Sequence, residues 1–192
     1  MPGSIKIDDG SGNYTILTNA GSLGSDKTIT IPNTTGTLAL TSDSFGKVLQ
    51  VVQATSSTQT NTTATSYGNT TLSGSITPSA TDSKILLLIS QTMDTQSNTT
   101  QNTEIALKVV QTISATDTDI YENTAFMKIN ADYGAFGYSQ TRGTYAVNIL
   151  DSPSTTSAVT YKTMMKNVNS GGSATAQSGN QPSHIILMEI GA

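Results

Sequence analysis

The sequence predicts an all-β protein, with a small N-terminal β-hairpin region followed by a β-sandwich. Three observations support this class. The chain holds 34 Thr beside 24 Ser, 13 Asn and 10 Gln, and Thr, Val, Ile and Tyr suit a pleated, half-buried surface. Its apolar residues lie in short alternating runs and not at helical spacing. Turns rich in Gly, Pro and Asn separate these runs.

The first 42 residues predict two hairpins. Residues 4–8 and 14–18 alternate around a turn that contains Gly, Ser and Asn, and residues 28–31 and 37–40 flank a Pro-Asn-Thr-Thr-Gly turn. Each hairpin has few large apolar residues, and chains below about 40 residues usually need metals, disulfides or partners to fold. We therefore expect residues 1–42 to be supported by the rest of the chain, by copies of themselves or by a partner protein.

A joint at 43–46 leads into residues 47–192, which predict a β-sandwich of jelly-roll type. Strand 84–91 is apolar on both faces and should be central. Residues 104–113 predict a strand with one apolar face, although a helix is the alternative for so short a run. The full set of predicted strands is 47–53, 71–77, 84–91, 104–113, 124–130, 143–150, 157–165 and 183–190.

Long polar stretches separate these strands. Residues 54–70, 92–103 and 166–182 predict loops, and loops of this length in a compact domain are usually functional or mobile. Residues 54–66 are rich in Thr and could instead supply an edge strand that packs against another subunit.

Composition excludes several functional classes. Nine basic residues against 13 acidic residues give a net charge of −4, whereas nucleic-acid binding needs a basic surface. The absence of Cys excludes a disulfide framework and thiolate metal sites. The longest aliphatic run, residues 85–89, is far shorter than the roughly 20 residues of a membrane span. The N-terminus has no apolar signal-peptide core, so we expect synthesis in the cytoplasm.

The residues that could carry chemistry are few. His184 is the only imidazole, and a lone His on a strand predicts a structural role. The densest carboxylate cluster is Asp117, Asp119 and Glu122, which is open to three interpretations: a calcium site, a glycosidase pair or a solvated turn. We expect no enzyme activity and no cofactor.

An aromatic cluster predicts a contact surface. Tyr and Arg are enriched where proteins recognise partners, and here they occur together in a glycine-rich stretch. The occupant would be a surface glycan or an adjacent subunit, and the alternative is a turn whose aromatics cover the edge of the core. The residues are Tyr133, Phe136, Tyr138, Arg142 and Tyr145.

Two segments resemble bacteriophage proteins. Residues 28–43, Thr-Ile-Thr-Ile-Pro-Asn-Thr-Thr-Gly-Thr-Leu-Ala-Leu-Thr-Ser-Asp, are similar to a segment near the start of tail-fibre and related virion surface proteins. Residues 46–53 and 75–86, together with the end of the chain at 186–192, resemble a domain of phage structural proteins, often from cyanophages. The resemblance implies a β-structured homotrimer that is attached by its N-terminal part and exposes a C-terminal knob.

These observations together predict a non-enzymatic phage virion structural protein. It would be a short trimeric tail or head fibre on the virion surface, attached to capsid or tail proteins through residues 1–42. Only 35% of the residues are hydrophobic, and so thin a core suggests that subunits share burial. A capsid cement or decoration protein and a glycan-binding module for host attachment are the alternatives.

Overall fold

The computed structural model describes residues 5–8, 11, 14–17, 47–97, 102–129 and 139–191. Contacts between Cα atoms divide the chain into two units, Met1–Asp43 and Ser44–Ala192. In the first unit, strand β1 (Ile5–Asp8) pairs antiparallel with β2 (Tyr14–Leu17). This pairing confirms the first predicted hairpin. The second predicted hairpin, at 28–40, lies outside the described residues.

The described part of the second unit is built from strands and one short 3₁₀ turn, Ser178–Asn180. The strands are β3 (Val48–Ser56), β4 (Thr60–Thr62), β5 (Gly68–Ile76), β6 (Lys84–Ser97), β7 (Thr103–Ile113), β8 (Thr116–Ile129), β9 (Ser139–Asp151), β10 (Val159–Asn167), β11 (Gly172–Ala176) and β12 (Ser183–Ile190).

These strands form two antiparallel sheets. In the first, called sheet one, β9 pairs along one side of β6, while β12 and β11 pair end to end along the other side. Strand β3 extends the sheet beyond β12, and β4 extends it beyond β11. The second, called sheet two, has the order β5-β10-β7-β8. The predicted central position of 84–91 is therefore confirmed.

The strand order is that of a jelly roll. If β3 and β4 count as one interrupted strand, and β11 and β12 as another, each sheet has four strands. Except for β7 and β8, which pair with each other in sheet two, successive strands then pass between the sheets, as in the two Greek keys that define this architecture. The predicted all-β sandwich of jelly-roll type is thus confirmed.

The core lies between the sheets because alternate residues of each strand point inward. One cluster is built around Leu72, Leu87, Tyr161 and Leu187, and a second, further along the sandwich, around Met93 and Leu107. In β7 the inward residues Ile105, Leu107 and Val109 have no solvent exposure. The strand prediction for 104–113 is therefore confirmed, and its helical alternative is wrong.

The three predicted loops each contain strand structure. Residues 54–70 include the end of β3, all of β4 and the start of β5; residues 92–103 include the second half of β6; and residues 166–182 include β11. These segments lack apolar alternation, so periodicity could not reveal them, and cross-strand backbone hydrogen bonds hold them in the sheets. The alternative of a Thr-rich edge strand is confirmed, because β3 and β4 lie at an edge of sheet one.

A buried carboxylate joins three segments at one end of the sandwich. Glu189 in β12 has no solvent exposure. Its Oε1 accepts hydrogen bonds from the Ser79 backbone N–H at 2.7 Å and from the Ser79 hydroxyl at 2.6 Å. Its Oε2 accepts a 2.6 Å bond from Gln50 Nε2 in β3. Burial alone raises the pKa of Glu189, but these hydrogen bonds outweigh burial and lower the pKa to about 2.

Candidate interaction surface

The predicted contact surface is only partly described. Tyr133, Phe136 and Tyr138 lie outside the described residues, so their grouping stays a prediction. Arg142 and Tyr145 both lie on β9. Because they are an odd number of residues apart on a strand, their side chains point to opposite faces of sheet one.

Tyr145 belongs to the core. Its side chain is 2% exposed and meets the ring of Phe126 edge-on, with the ring centroids 4.7 Å apart. The Tyr121 ring lies 6.5 Å away at a tilt. Its assignment to an exposed contact surface is therefore wrong. The inward register of β9 directs the ring between the sheets, where burial raises the pKa of its hydroxyl.

Arg142 points outward and pairs with a buried carboxylate. Its Nε donates to Asp94 Oδ2 at 3.2 Å, and the Arg142 side chain is 51% exposed while Asp94 is fully buried. Ser178 Oγ donates to the same oxygen at 3.3 Å, and Gln140 Nε2 donates to it as well. The arrangement fixes β6, β9 and the 3₁₀ turn to one another.

Asp94 lies within a polar row that crosses sheet one. In the register of the sheet, Asn61 of β4 is opposite Thr175 of β11, Thr175 is opposite Asp94, and Asp94 is opposite Arg142. Asn61 Nδ2 donates to Thr175 Oγ1 at 2.8 Å. Sequence reasoning placed Asp94 in a loop and missed it. The one available signal was a lone Asp among Thr and Gln.

The carboxylate cluster does not converge on a common point. Asp117, Asp119 and Glu122 lie on β8, an edge strand. They are exposed, as the solvated-turn interpretation requires, but they belong to a strand and not to a turn. Asp117 Oδ2 pairs with Lys162 Nζ at 2.7 Å, and the two oxygens of Asp119 lie 2.8 and 2.9 Å from Lys108 Nζ.

Glu122 also has its own partner, because its Oε1 accepts the Tyr67 hydroxyl at 2.8 Å. Each of the three carboxylates is thus directed toward a different donor, and this geometry gives no support to the calcium interpretation. Among the described residues, no set of three or more potential ligands could hold a metal ion. In the same part of the chain, no helix has the length and apolar composition needed to cross a membrane.

These ion pairs lie on the outer face of sheet two. Lys108 pairs with Asp119, Lys162 pairs with Asp117, and Lys166 Nζ lies 4.5 Å from the centre of the Tyr67 ring. Acidic side chains of β8 therefore pair with lysines of β7 and β10 on this face. Such a face remains stable in water without a covering partner.

The outer face of sheet one is apolar at the end opposite Asp94. Val51 of β3 is opposite Met188 of β12, Met188 is opposite Leu86 of β6, and Leu86 is opposite Leu150 of β9. Val51 and Leu150 are 56% and 58% exposed. We call this surface the apolar band; its members are Val48, Val51, Leu86, Leu88, Leu150, Ile186, Met188 and Ile190.

The sequence contained part of this signal. Strand 84–91 is apolar on both faces, which predicts burial on both faces. In the structure its inward residues Leu87 and Ile89 are buried, but Leu86 and Leu88 are only half-buried on the outer face. The side chains that complete the band come from distant positions in the chain, so only the register brings them together.

Comparisons with known proteins give little similarity. No family model matches the chain, and no curated protein matches it. Structures of infectious bursal disease virus match with a TM-score of 0.32, at 11% identity over 92% of this chain for the Gt strain and 13% over 98% for the Gx strain. The chain spans less than half of each viral chain, at 47% and 46%. At this TM-score neither match bears on function.

Proposed function

We propose that the chain is a non-enzymatic structural protein of a bacteriophage particle, which acts by protein–protein contact. The apolar band is the observation that carries this proposal. One outer face of the sandwich is ion-paired and suited to water, whereas the other exposes Val51 and Leu150 in a continuous apolar row. Exposed apolar patches of this kind mark interaction surfaces.

Two further features support a virion role. Residues 28–43 resemble the start of phage tail-fibre proteins, and the jelly roll is an architecture that viral capsid domains use. The proposed particle component is a short homotrimeric fibre or knob on the virion surface. Residues 1–42 attach it to a capsid or tail protein, and the sandwich projects outward.

The test is to locate the chain on the particle. Purified virions of the phage that encodes it are analysed by mass spectrometry and by image reconstruction. The proposal predicts that the chain is present in stoichiometric amount, as a three-fold projection on the tail or head. Density that bridges neighbouring shell subunits would instead identify a capsid cement protein. Absence of the chain from purified virions would refute a structural role.

A further inference from the structure

We propose that the apolar band is the surface through which copies of this chain associate with one another. This inference rests on the proposed oligomeric structural role and names the partner of that surface. The argument uses three properties of the outer face of sheet one: its continuity, its charge and its area.

The band is continuous across the whole width of the sheet. The row Val51, Met188, Leu86 and Leu150 includes one residue from each of β3, β12, β6 and β9. The next row adds Ile186 and Leu88 at its centre. Because the rows lie side by side on a pleated sheet, they offer the kind of surface that packs face to face with another sheet.

The charge on this face favours a copy of itself. Outward-facing residues in the rows from Val51 to Thr55 of β3, and their partners on β12, β6 and β9, include no Asp, Glu, Lys or Arg. In a symmetric oligomer every charge near the axis meets the same charge of its copy, which is unfavourable. These three rows have no formal charge and avoid this repulsion. Lys84, opposite Ile190 at one margin of the band, and the Arg142–Asp94 pair at the other end of the sheet lie outside them. The outer face of sheet two has formal charges, so a symmetric contact through it would bring like charges together. These charges are on Lys108, Lys162, Asp117 and Asp119.

The area is sufficient for association. A contact through the band would also include the rows beside it. Four strands about 4.8 Å apart, taken over about 25 Å from Val48 to Thr55 of β3 and so including the polar row of Thr55, give a footprint of about 500 Å² per chain. Two apposed copies would then bury about 1,000 Å² in total, which is about the lower limit for a specific interface. In a trimer, three such faces turned toward a common axis would each contact both neighbours.

The test measures the molar mass of the purified full chain by light scattering at micromolar concentration. The variants Val51→Asp and Leu150→Asp each place a carboxylate within the band, at side chains that are already more than half exposed. Ser73→Asp is the matched control, because Ser73 is exposed on β5, an edge strand of sheet two. Circular dichroism and thermal unfolding establish that each variant is folded, and Val51→Thr replaces any aspartate variant that is not.

We expect an oligomer for the unmodified chain and for Ser73→Asp, and a shift toward monomer for both band variants. A monomeric unmodified chain would overturn the inference and leave another protein as the occupant of the band. An oligomer that persists in the band variants, or that Ser73→Asp disrupts equally, would also overturn it. This result is independent of the virion test, since the chain could self-associate and still be absent from particles.

Discussion

Individual buried polar residues fix the geometry of this sandwich. Glu189 is a carboxylate without solvent exposure, and donors from β3 and from the turn at Ser79 surround it. Buried charges persist in proteins only where hydrogen bonds replace the lost water. The position therefore ties the end of β12 to two segments that are more than 100 residues away in the chain.

The lowered pKa of Glu189 predicts a specific pH dependence. The folded-state pKa is about 2 and the ordinary value is 4.5, so the unfolded chain takes up the proton first as the pH falls. The stabilising contribution is complete above pH 4.5 and is lost as the pH falls toward 2. Glu189→Gln should therefore lower the unfolding temperature most at neutral pH, and its difference from the unmodified chain should shrink through this range.

The measurement is thermal unfolding of both proteins across the acidic range. Asp117→Asn is the matched control: the hydrogen bonds from Lys162 and Thr112 also lower the pKa of Asp117, but that carboxylate lies on an exposed edge strand. Asp117→Asn should lower the unfolding temperature much less than Glu189→Gln does, because surface ion pairs contribute little to stability. This account would be contradicted if Glu189→Gln lowered the unfolding temperature by the same amount at neutral pH and near pH 2.

Arg142 is predicted to stabilise the fold. Among the described residues, its removal in Arg142→Ala leaves the buried Asp94 carboxylate with uncharged donors alone, Gln140 and Ser178. We expect a loss of roughly 1–3 kcal/mol in the free energy of unfolding, as for a buried group that loses a partner. Chemical denaturation measures it. Arg142→Ala in an Asp94→Asn background should cost clearly less, and an equal cost in both backgrounds would show that the ion pair is not the cause.

At the level of elements, the turn between β7 and β8 is strained. Ser114 and Ala115 have φ values of 49° and 65°, in the left-handed region that residues with a Cβ atom adopt at a cost. Positive φ at both positions is the requirement of a tight hairpin turn that normally carries Asn-Gly. The sequence pattern did not reveal this turn because neither residue is a usual turn former at these angles.

Ser114→Asn combined with Ala115→Gly should therefore stabilise the chain. The substitution relieves the strain of the left-handed conformation, but Gly loses more entropy on folding than Ala does. We therefore expect the free energy of unfolding to increase by only about 0.5–1 kcal/mol. The free energy of unfolding from denaturant titration tests it. Ala115→Val places a β-branched residue at positive φ and should lower the free energy of unfolding. A higher free energy of unfolding for Ala115→Val than for the double variant would contradict the proposed strain at this turn.

The sequence predicted the strands with apolar alternation and missed those without it. Strands β6, β7 and β12 were found because apolar residues mark their inward faces. Strand β4, with the sequence Thr-Asn-Thr, and the second half of β6 carry polar residues on both faces, and pairing with neighbours determines their conformation. Tyr145 was misplaced for a related reason: its residue type suits a surface, whereas the register of β9 directs it inward.

At the level of the whole molecule, the two outer faces of the sandwich differ in polarity. Sheet two presents ion pairs to water, and sheet one presents the apolar band at one end and the polar row of Asp94 at the other. The low hydrophobic content of the sequence predicted a small core. The structure is consistent with that prediction, because some of the apolar side chains lie on the outer face of sheet one and not between the sheets. Val51 and Met188 lie at opposite ends of the domain sequence, so periodicity in a single segment could not predict the band.

The most direct test of self-association through the band is the reactivity of two methionines in the full chain. Met188 lies in the band and Met164 on the outer face of sheet two, and both side chains are half-buried. Hydrogen peroxide converts accessible methionine to its sulfoxide, and peptide mass spectrometry measures each rate. We predict that Met188 is protected at concentrations where the chain associates and becomes reactive on dilution or in Val51→Asp, while Met164 reacts equally throughout. Oxidation of Met188 at a rate that is the same in the associated and dissociated states would contradict the account.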